Sequence, residues 1–487
     1  MGVIYSLKPF LTSLDALSVS AGGIKARLRE IPALRLRPGQ EPRLMGLLFA
    51  GGPANVEGGV VEPIVKIAAE NGVAVFGFED GFKGLLDGGK GVLLNPYAVH
   101  NFSRQGGGIL GTDRLNPDGQ KREWIADKFR QWNIEILHGG GGDDTQSSLK
   151  RMANLGLKMI GVAKTVDWDL PLTETYGFIT AWATIGRILD SYSNETVLTN
   201  TNALAQIMGR RSGALTLASS QMSGATRSYI GEEFTQKGLF ELVGAVELGD
   251  LFAYNVLCDL AAINLIDGQT RTPEWIKTNI ASVDAAAVHV NLVALLNQMI
   301  GIMSSRKGRG LHDNLFAVAE GIAERLPTVV TEKQPGTDLP IEAVVEIFGK
   351  RIPVEYDEHH NPRLGPIKIG DGLKEQLVAK FTTNPKKPAK WIFNQNLTYE
   401  GRCVTTPEQA DVRIGQTMAI RAITEAIHGR HGFLSGYRAC ESVMIPFDDL
   451  PTDPVTGKII PRVVDLGSSF YLGAKQLEWL LANQGRD

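Results

Sequence analysis

The sequence predicts an α/β protein whose sheets are mostly parallel. Short apolar runs alternate with segments of helical periodicity, and many of the 55 glycines cluster between them. Such clusters are typical of tight turns from strand to helix, and regular alternation favours βαβ units. A chain of 487 residues is also too long for one ordinary hydrophobic core, so we expect two or three domains.

The predicted elements follow one another along most of the chain. In the first half they are a strand with a glycine turn at 44–53, a strand at 72–81, a glycine loop at 106–114, the helix "EWIADKFRQW", the strand and loop "IEILHGGGGDD", the helix "TQSSLKRMANLG" and the strand and loop "LKMIGVAKTVDWD". A second alternating region spans 202–326, and a Pro/Lys turn at 384–391 precedes a long helix at 411–430. We interpret the irregular residues 1–44 as an extension that packs on the body or on a partner subunit.

Composition narrows the classes of function. The chain is 43% hydrophobic and carries a formal net charge of −3, which argues against a nucleic-acid-binding protein. Any anionic substrate must therefore be bound by a local pocket of arginines and lysines. The three cysteines, Cys258, Cys403 and Cys440, are too widely spaced for a disulfide framework or a metal cluster, which indicates a reducing, cytoplasmic setting.

Apolar segments give no sign of a membrane protein. The most apolar long segment, 285–303, is interrupted by polar residues such as His289 and Asn291, so we predict a buried helix rather than a membrane span. The N-terminus lacks the basic start, apolar stretch and cleavage site of a secretory signal. We expect a cytoplasmic protein with neither membrane nor nucleic acid among its partners.

Two acidic residues follow neighbouring predicted strands. Asp143 and Asp167 are 24 residues apart, the length of one helix and one strand, so both should lie at the same edge of the sheet. Such a pair of carboxylates can bind Mg²⁺ and supply a general base. The alternative is that each merely caps a helix. Lys164 and Thr165 directly before Asp167 weaken that alternative.

Other motifs are less specific when taken singly. The glycine loop at 49–59 resembles an anion-binding turn but has neither the Walker pattern nor the dinucleotide fingerprint. Arg210 and Arg402 each lie beside glycine in a predicted loop, and arginine suits phosphate because its planar fork donates two hydrogen bonds. The histidines show no metal-ligand spacing, and we interpret them as structural.

Taken in order, these motifs resemble those of the phosphofructokinase family. The set is "GGP" at 51–53, "GILGTDR" at 108–114, "GGDD" at 141–144, "KTVDWD" at 164–169, "MGR" at 208–210, "AEG" at 319–321 and "YEGR" at 399–402. The resemblance covers about residues 45–440. It implies two Rossmann-like three-layer domains with the active site in the cleft between them. The implied ranges are an extension at 1–44, a diphosphate-binding domain at 45–195, a sugar-phosphate-binding domain at 196–440 that partly crosses back, and an extension at 441–487.

The resemblance also implies roles for individual residues in Mg²⁺-dependent transfer of a phosphoryl group to the 1-hydroxyl of fructose 6-phosphate. Asp167 would be the general base, Asp143 the metal ligand and Asp169 a support of the acidic centre, with Lys164, Asp144, Thr165 and Arg210 also acting at the reacting group. The implied diphosphate-binding residues are Gly51, Gly52, Arg114, Asp144 and Lys164. The implied acceptor-binding residues are Thr165, Val166, Asp167, Met208, Gly209, Arg210, Glu320, Tyr399, Glu400, Gly401 and Arg402.

The expected donor depends on Asp144 and Lys164. ATP-using members of the family commonly carry glycine at both positions, whereas this sequence resembles the pyrophosphate-using members. A carboxylate at Asp144 would repel the α-phosphate of ATP by roughly 4 kcal/mol for unit charges about 4 Å apart at an effective dielectric near 20. Lys164 would offset charge on a small leaving phosphate. The sequence therefore predicts a reversible pyrophosphate-dependent enzyme.

Several departures from the family pattern leave alternatives open. Ala163 replaces the usual proline, Trp168 separates the two acids of the base motif, and both the first loop and the run after "YEGRC" differ. The alternatives are an ATP-dependent 6-phosphofructokinase, a kinase of a longer sugar phosphate such as sedoheptulose 7-phosphate, a lipid or NAD kinase, and a non-catalytic regulatory homologue. The resemblance further implies a homo-oligomer, a dimer or tetramer.

Overall fold

The computed structural model describes residues 28, 31, 33–335, 339–356, 362–382, 394–402 and 404–483. Most of the predicted extension at 1–44 and the whole Pro/Lys turn at 384–391 lie outside the described residues. By their internal contacts the residues form two compact units. The first unit takes residues up to Ala181 together with Glu400–Arg462, and the second takes Trp182–Tyr399 together with Val463–Asp487.

The first unit is built on one large sheet. Its strands are β1 (Arg43–Phe49), β2 (Val73–Phe78), β3 (Gly91–Leu93), β4 (Leu137–Gly141), β5 (Met159–Thr165), β6 (Tyr176–Gly177), β16 (Phe433–Arg438) and β17 (Glu441–Pro446). The order is β17-β16-β5-β4-β1-β2-β3, with β6 paired to β5. The pairings are parallel except β2 with β3 and β16 with β17. The mostly parallel sheet predicted from the sequence is confirmed.

Helices connect these strands. They are α1 (Glu57–Glu70), α2 (Phe82–Leu86), α3 (Gly119–Trp132), α4 (Asp143–Asn154) and α12 (Gln409–Ile427), with short 3₁₀ helices at Phe102–Arg104 and Phe447–Asp449. The start of α3 is fixed by Asp118, whose carboxylate accepts a hydrogen bond from the Lys121 amide. Helix α12, predicted at 411–430, packs against α1. Helix α5 (Phe178–Thr199) begins in the first unit and continues into the second.

The second unit has its own parallel sheet. Its strands are β7 (Asn202–Ile207), β8 (Arg227–Tyr229), β11 (Asn314–Ala319) and β15 (Asn394–Leu397), in the order β15-β7-β11-β8. Its further strands are the antiparallel pair β9 (Asn264–Ile266) and β10 (Val288–Val290), and the antiparallel set β12 (Thr328–Lys333), β13 (Pro340–Ile347) and β14 (Lys350–Glu355). All pairings of the four-stranded sheet are parallel.

The helices of the second unit complete its α/β layers. They are α6 (Ala214–Ser223), α7 (Gln236–Glu247), α8 (Leu251–Ile263), α9 (Pro273–Asn279), α10 (Leu292–Gly308), α11 (Ile369–Phe381) and α13 (Ser469–Asn483). Short 3₁₀ helices lie at Gly231–Phe234, Ile280–Ser282, Ala285–Ala287 and Glu320–Arg325. The α/β fold class predicted from the alternating pattern thus holds in each unit.

The prediction of one buried helix over 285–303 was wrong. The segment holds a 3₁₀ turn, strand β10 and then α10, which begins at Leu292. The helix cannot start earlier because Asn291 caps it, accepting a hydrogen bond from the Ala294 amide at 3.1 Å. Val293 is 59% exposed, so the helix is only partly buried. Among the described residues, no helix has both the length and the apolar character needed to cross a bilayer.

Candidate active site

The glycine run at 139–142 is mostly strand rather than loop. Gly139, Gly140 and Gly141 belong to buried strand β4, and α4 begins at Asp143. A Cβ at Gly140 would lie 2.4 Å from Phe49, and one at Gly141 would lie 2.3 Å from Thr145. Close packing on both faces of β4 therefore excludes larger residues. Of the predicted strand and loop "IEILHGGGGDD", the strand therefore extends to Gly141, and the loop before α4 is the single residue Gly142.

Three carboxylates come together at the ends of β4 and β5. These strands are adjacent and parallel, so Asp143 and the segment after Thr165 reach the same edge of the sheet. Burial, then the charges of Asp143 and Asp167, raise the pKa of Asp169 to about 8. The side chain of Asp169 is 8% exposed, and its Oδ1 has no hydrogen-bond partner in the described part of the chain. The sequence placed Asp143 and Asp167 near each other, and the structure does so as well.

This acidic centre suits a divalent cation. No three His, Cys, Asp or Glu side chains of the described residues are arranged as a complete set of metal ligands. Mg²⁺ does not need such a set, because it commonly takes one or two carboxylates and fills its other positions with water and substrate phosphates. A cation beside Asp143 would also relieve the repulsion that raises the pKa of Asp169. The residues therefore fit Mg²⁺.

Lys164, at the end of β5, is held by a partner that sequence reasoning missed. Its Nζ lies 3.2 Å from Glu57 Oε1 and donates to the Gly52 carbonyl at 3.0 Å. Burial raises the pKa of Glu57, while the charge of Lys164 lowers it. Glu57 opens α1 within the loop "GGPANVEGG". The only signal for this pairing in the sequence was an acid inside an otherwise apolar glycine loop.

Asp144 is also engaged by a distant lysine. It lies in the first turn of α4, 28% exposed, with its Oδ1 3.5 Å from the Nζ of Lys458. Residues 451–460 pack along this helix: Lys150 donates to Thr452 at 3.0 Å, and the Ile459 amide donates to Ser147 at 2.9 Å. Part of the predicted C-terminal extension is thus a wall of the site in the first unit.

Trp168, between the two acids of "DWD", is fixed on several sides. It has a left-handed backbone, φ 57°, and its ring stacks on Phe178 with centroids 5.3 Å apart. Its indole N–H donates to Glu174. The Arg462 guanidinium lies 4.0 Å from the ring centroid, and its Nε donates to the Trp168 carbonyl at 3.0 Å. Arg462 therefore contacts both the ring and the backbone of Trp168.

The predicted diphosphate loop is assembled from two segments. The Gly51 amide donates to the Asp113 carbonyl at 2.9 Å, and Thr112 donates to the Gly51 carbonyl at 2.9 Å. Gly51 has φ 89°, which favours glycine. Arg114 follows directly and is exposed. The structure thus brings the first and second glycine motifs of the sequence together.

Arg402 lies beside this loop. A Cβ on Gly52 would be 3.2 Å from its guanidinium. Buried Asn55 holds the two segments together, because its side-chain amide donates to the Gly401 carbonyl and its carbonyl accepts from the Val404 amide. The motif "YEGR" is divided between the units: Tyr399, 74% exposed, belongs to the second, and Glu400–Arg402 belong to the first.

The other predicted acceptor residues lie together in the second unit. Gly209 has φ 131°, and its amide donates to Glu320 at 3.2 Å. Met208 is buried, and its amide donates to the Leu397 carbonyl at the end of β15. A Cβ at Gly321 would be 2.5 Å from the Arg210 carbonyl. The turns after β7 and β11, neighbouring parallel strands, are therefore in direct contact.

A comparison with protein families agrees with these motifs. The family model described as phosphofructokinase matches residues 45–250. The chain carries a phosphofructokinase-family domain. The resemblance predicted from the ordered motifs is confirmed.

Curated relatives extend the similarity beyond this domain. It is 25% identical to the pyrophosphate–fructose 6-phosphate 1-phosphotransferase of Naegleria fowleri, covering 92% of this chain and 90% of the relative. The enzyme of the same name from Thermotoga maritima is 26% identical, with 89% of each chain covered. The ATP-dependent 6-phosphofructokinase 2 of Streptomyces coelicolor is 34% identical, over 37% of this chain and 54% of the relative.

Solved structures share the fold. The pyrophosphate-dependent phosphofructokinase from Marinobacter aquaeolei matches with a TM-score of 0.55 at 13% identity, covering 90% of this chain and 91% of that one. The enzyme of the same description from Nitrosospira multiformis gives a TM-score of 0.55 at 14% identity. At such identities the match shows the phosphofructokinase fold alone.

Proposed function

We propose that this chain is a reversible, Mg²⁺-dependent pyrophosphate–fructose 6-phosphate 1-phosphotransferase, which forms fructose 1,6-bisphosphate and phosphate. The observation that carries the proposal is the position of Asp144 in the first turn of α4, next to Asp143 of the acidic centre. Two relatives with this name match nearly the whole chain. Relatives named for ATP also match, so the choice of donor rests on the residues.

Asp144 favours a short donor. Its carboxylate follows Asp143 at the N-terminus of α4, where the helix dipole would otherwise attract phosphate. The pairing with Lys458 is partly exposed, at 37% for the lysine and 28% for the aspartate. The negative charge is therefore oriented by Lys458 rather than removed, and it disfavours an inner phosphate of a nucleotide.

Lys164 contributes in a different way. Its ammonium is buried with Glu57 and the Gly52 carbonyl, so its position is fixed before any substrate arrives. An ammonium held at the diphosphate loop stabilises negative charge on the leaving phosphate, and it needs little rearrangement during the reaction. Arg402, beside Gly52, and exposed Arg114 add positive charge in the same unit.

Asp167 is the proposed general base, which accepts the proton of the acceptor 1-hydroxyl as the oxygen attacks phosphorus. Its amide receives support from Thr165, whose Oγ1 accepts from it at 3.1 Å. Mg²⁺ bound at Asp143 would neutralise the donor phosphates. Asp169, close to both acids, and Trp168, fixed by Arg462, orient the segment that carries the base. Phosphoryl transfer depends mainly on such positioning and charge neutralisation.

The proposed acceptor residues include the cluster of the second unit. Met208, Gly209, Arg210 and Glu320 would bind the sugar and its phosphate, with Tyr399, Glu400 and Gly401 in the segment that follows β15. Thr165 and Val166 would line its reacting end. A cytoplasmic homo-oligomer is part of the proposal, and sedimentation of the purified protein tests the assembly.

A donor screen tests the function. Purified chain with Mg²⁺ and fructose 6-phosphate should form bisphosphate with diphosphate, while ATP should support little or none. Asp144→Gly should raise the ratio of ATP to diphosphate turnover, and Asp167→Asn should abolish turnover with either. Asp127→Asn is the matched control, since Asp127 is an exposed acid on α3. Robust ATP turnover with none from diphosphate would contradict the proposal.

Trp168 motivates a second acceptor. A large ring, fixed by Arg462 and Phe178 next to the proposed base, changes the surface that a sugar would meet. Sedoheptulose 7-phosphate therefore belongs in the same screen. A kcat/KM for it above that for fructose 6-phosphate would make it the preferred acceptor.

A further inference from the structure

Asp411, in the first turn of α12, is a buried carboxylate whose hydrogen-bond donors belong to the start of a different helix. Its Oδ1 accepts from the Gly177 amide at 2.9 Å, and its Oδ2 accepts from the Thr180 amide at 3.0 Å. Gly177 directly precedes α5, and Thr180 lies in its first turn, where amides have no partner within the helix. Asp411 therefore caps α5 from a position 234 residues beyond Gly177 in sequence.

The capping is reciprocal, because Thr180 also caps α12. Its hydroxyl accepts from the amide of Glu408, the residue just before α12, at 3.1 Å, and it donates to Asp411. Burial raises the pKa of Asp411, and the hydrogen bonds from Thr180 and Gly177 oppose this shift. The carboxylate lies near the positive ends of both helices, which also favour its charged form. We call Asp411 and Thr180 the reciprocal cap.

One side of the reciprocal cap leads to the segment that carries the proposed base. Gly177 ends β6, which pairs with β5 at Thr165. Phe178, the first residue of α5, stacks on Trp168 with centroids 5.3 Å apart. Thr165 lies two residues before Asp167 and Trp168 lies one residue after it. The start of α5 therefore contacts the chain on both sides of Asp167.

The other side of the reciprocal cap leads to the segment of Arg402. A Cβ on Gly401 would lie 3.2 Å from the Cα of Ala181, in the first turn of α5. Gly401 is followed by Arg402, whose guanidinium lies beside Gly52 of the proposed diphosphate loop. The Arg402 segment thus packs directly on the helix start that Asp411 caps.

The capping by Asp411 differs from ordinary helix capping in what it connects. Asp250 is an ordinary cap of α8: it accepts from the Phe252 and Ala253 amides at 2.9 and 3.0 Å, within its own stretch of chain. Such a cap stabilises the helix that follows it. Asp411 forms the same pair of hydrogen bonds with a distant helix, and that helix contacts two segments of the proposed site.

We propose that Asp411 is a positioning residue of the phosphoryl transfer, which keeps the segment of the proposed base and the segment of Arg402 in one fixed arrangement. This inference rests on the proposed function of the site. Asp411 acts through α5 and not on the substrate. Displacement of reacting groups by about 1 Å can cost roughly a factor of 100 in rate, so a small movement of the α5 start is enough.

Steady-state kinetics of Asp411→Asn with diphosphate tests the positioning. The amide keeps one acceptor oxygen but directs an N–H group at the second backbone amide, so one hydrogen bond is lost. We expect kcat to fall at least tenfold and the KM for diphosphate to rise at least threefold, because both segments loosen. A smaller folded fraction alone would lower the apparent kcat but would leave KM unchanged. Asp250→Ala is the matched control and should keep both constants at the parent values.

A second pair of variants decides where Asp411→Asn does not fold. Thr180→Val keeps the shape of the side chain but removes the hydroxyl that joins Asp411 to Glu408, so kcat should fall and KM should rise, each severalfold. Thr180→Ser keeps the hydroxyl and should recover most of the loss. Equal losses in both Thr180 variants would overturn the role of the reciprocal cap.

Hydrogen exchange followed by mass spectrometry gives a readout without turnover. In Asp411→Asn, exchange should become at least tenfold faster in peptides from both 165–181 and 404–412, whereas Asp250→Ala should match the parent in both. Parent-like kcat and KM in Asp411→Asn would overturn the proposal, and so would faster exchange in only one of the two segments or in neither. An inactive parent would contradict the proposed function alone, because the exchange experiment still decides whether Asp411 joins the two segments.

Discussion

The Nζ of Lys164 lies 3.2 Å from Oε1 of Glu57, and the two side chains are only 2% and 3% exposed. This buried ion pair joins the end of β5 to the start of α1. Desolvation makes such a pair costly to form, but removal of one partner leaves a buried charge uncompensated. The pair therefore fixes the proposed diphosphate loop to the strand that leads to the proposed base.

Glu57→Gln should destabilise the protein by about 3–5 kcal/mol, because Lys164 would remain buried without its counter-charge. The double variant Glu57→Gln/Lys164→Met should recover a large part of this loss, yet it should remain inactive with diphosphate. Urea unfolding of the parent, both single variants and the double variant gives the coupling energy. Additive losses would show that the two residues do not interact.

Lys458→Met should lower kcat/KM for diphosphate by about tenfold, as expected for the loss of roughly 1.4 kcal/mol of favourable charge beside an anion. Without Lys458, the Asp144 carboxylate is free to approach the donor. The partly exposed pair contributes little to folding, so stability should change by less than about 1 kcal/mol. Steady-state kinetics with diphosphate checks the first value, and thermal unfolding checks the second.

Lys150→Met is the control for Lys458→Met. Lys150 donates to Thr452 in the same 451–460 segment. Among the described residues, no contact joins Lys150 to Asp144. Its loss should leave kcat/KM near the parent value. Equal losses in both variants would mean that the segment acts by packing and not through the charge of Lys458.

Arg462→Met should lower kcat more than tenfold with a small change in the KM for diphosphate. The guanidinium holds the Trp168 ring and carbonyl, and the Arg462 amide donates to the Asp169 carbonyl at 2.7 Å. Loss of the side chain should loosen the segment that carries Asp167. Tryptophan fluorescence reports the freed indole, and Arg462→Lys should recover only part of the rate because it lacks the planar fork.

Much of the fold could be predicted from local sequence pattern, and the acidic core of the site could be predicted from the topology of a parallel sheet. The alternation of strands and helices set the parallel sheets, and parallel strands place their carboxyl ends at one edge, which is why the 24-residue spacing brought Asp143 towards Asp167. Glu57 and Lys458 were missed because they meet Lys164 and Asp144 across 107 residues and more of sequence. Such contacts depend on tertiary packing that no local spacing records.

The glycine run at 139–142 is another case in which tertiary packing decides what the local pattern cannot. Its composition is that of a loop, but the packing of Phe49 and Leu149 against β4 requires glycine within a strand.

Gly140→Ala should therefore lower the free energy of unfolding by about 1–3 kcal/mol through overpacking. Gly244→Ala in α7 meets nothing within 4 Å and should be neutral or stabilising by up to about 1 kcal/mol. Chemical denaturation of the two variants compares them directly; a stable Gly140→Ala protein would show that Phe49 can move.

His138 on β4 should make the protein sensitive to mild acid. It is fully buried, neither ring nitrogen has a partner among the described residues, and burial lowers its pKa from an ordinary value of 6.5 to about 4. Between pH 6.5 and 4, His138 is protonated in the unfolded chain but stays neutral in the folded chain. The contribution of the neutral ring to the free energy of unfolding is therefore full above pH 6.5 and falls as the pH drops towards 4. The loss approaches about 3 kcal/mol. His138→Leu should remove this part of the slope, and the difference between the two unfolding free energies across pH 7 to 4 measures it. Parallel curves would mean that the imidazole is not buried as a neutral ring.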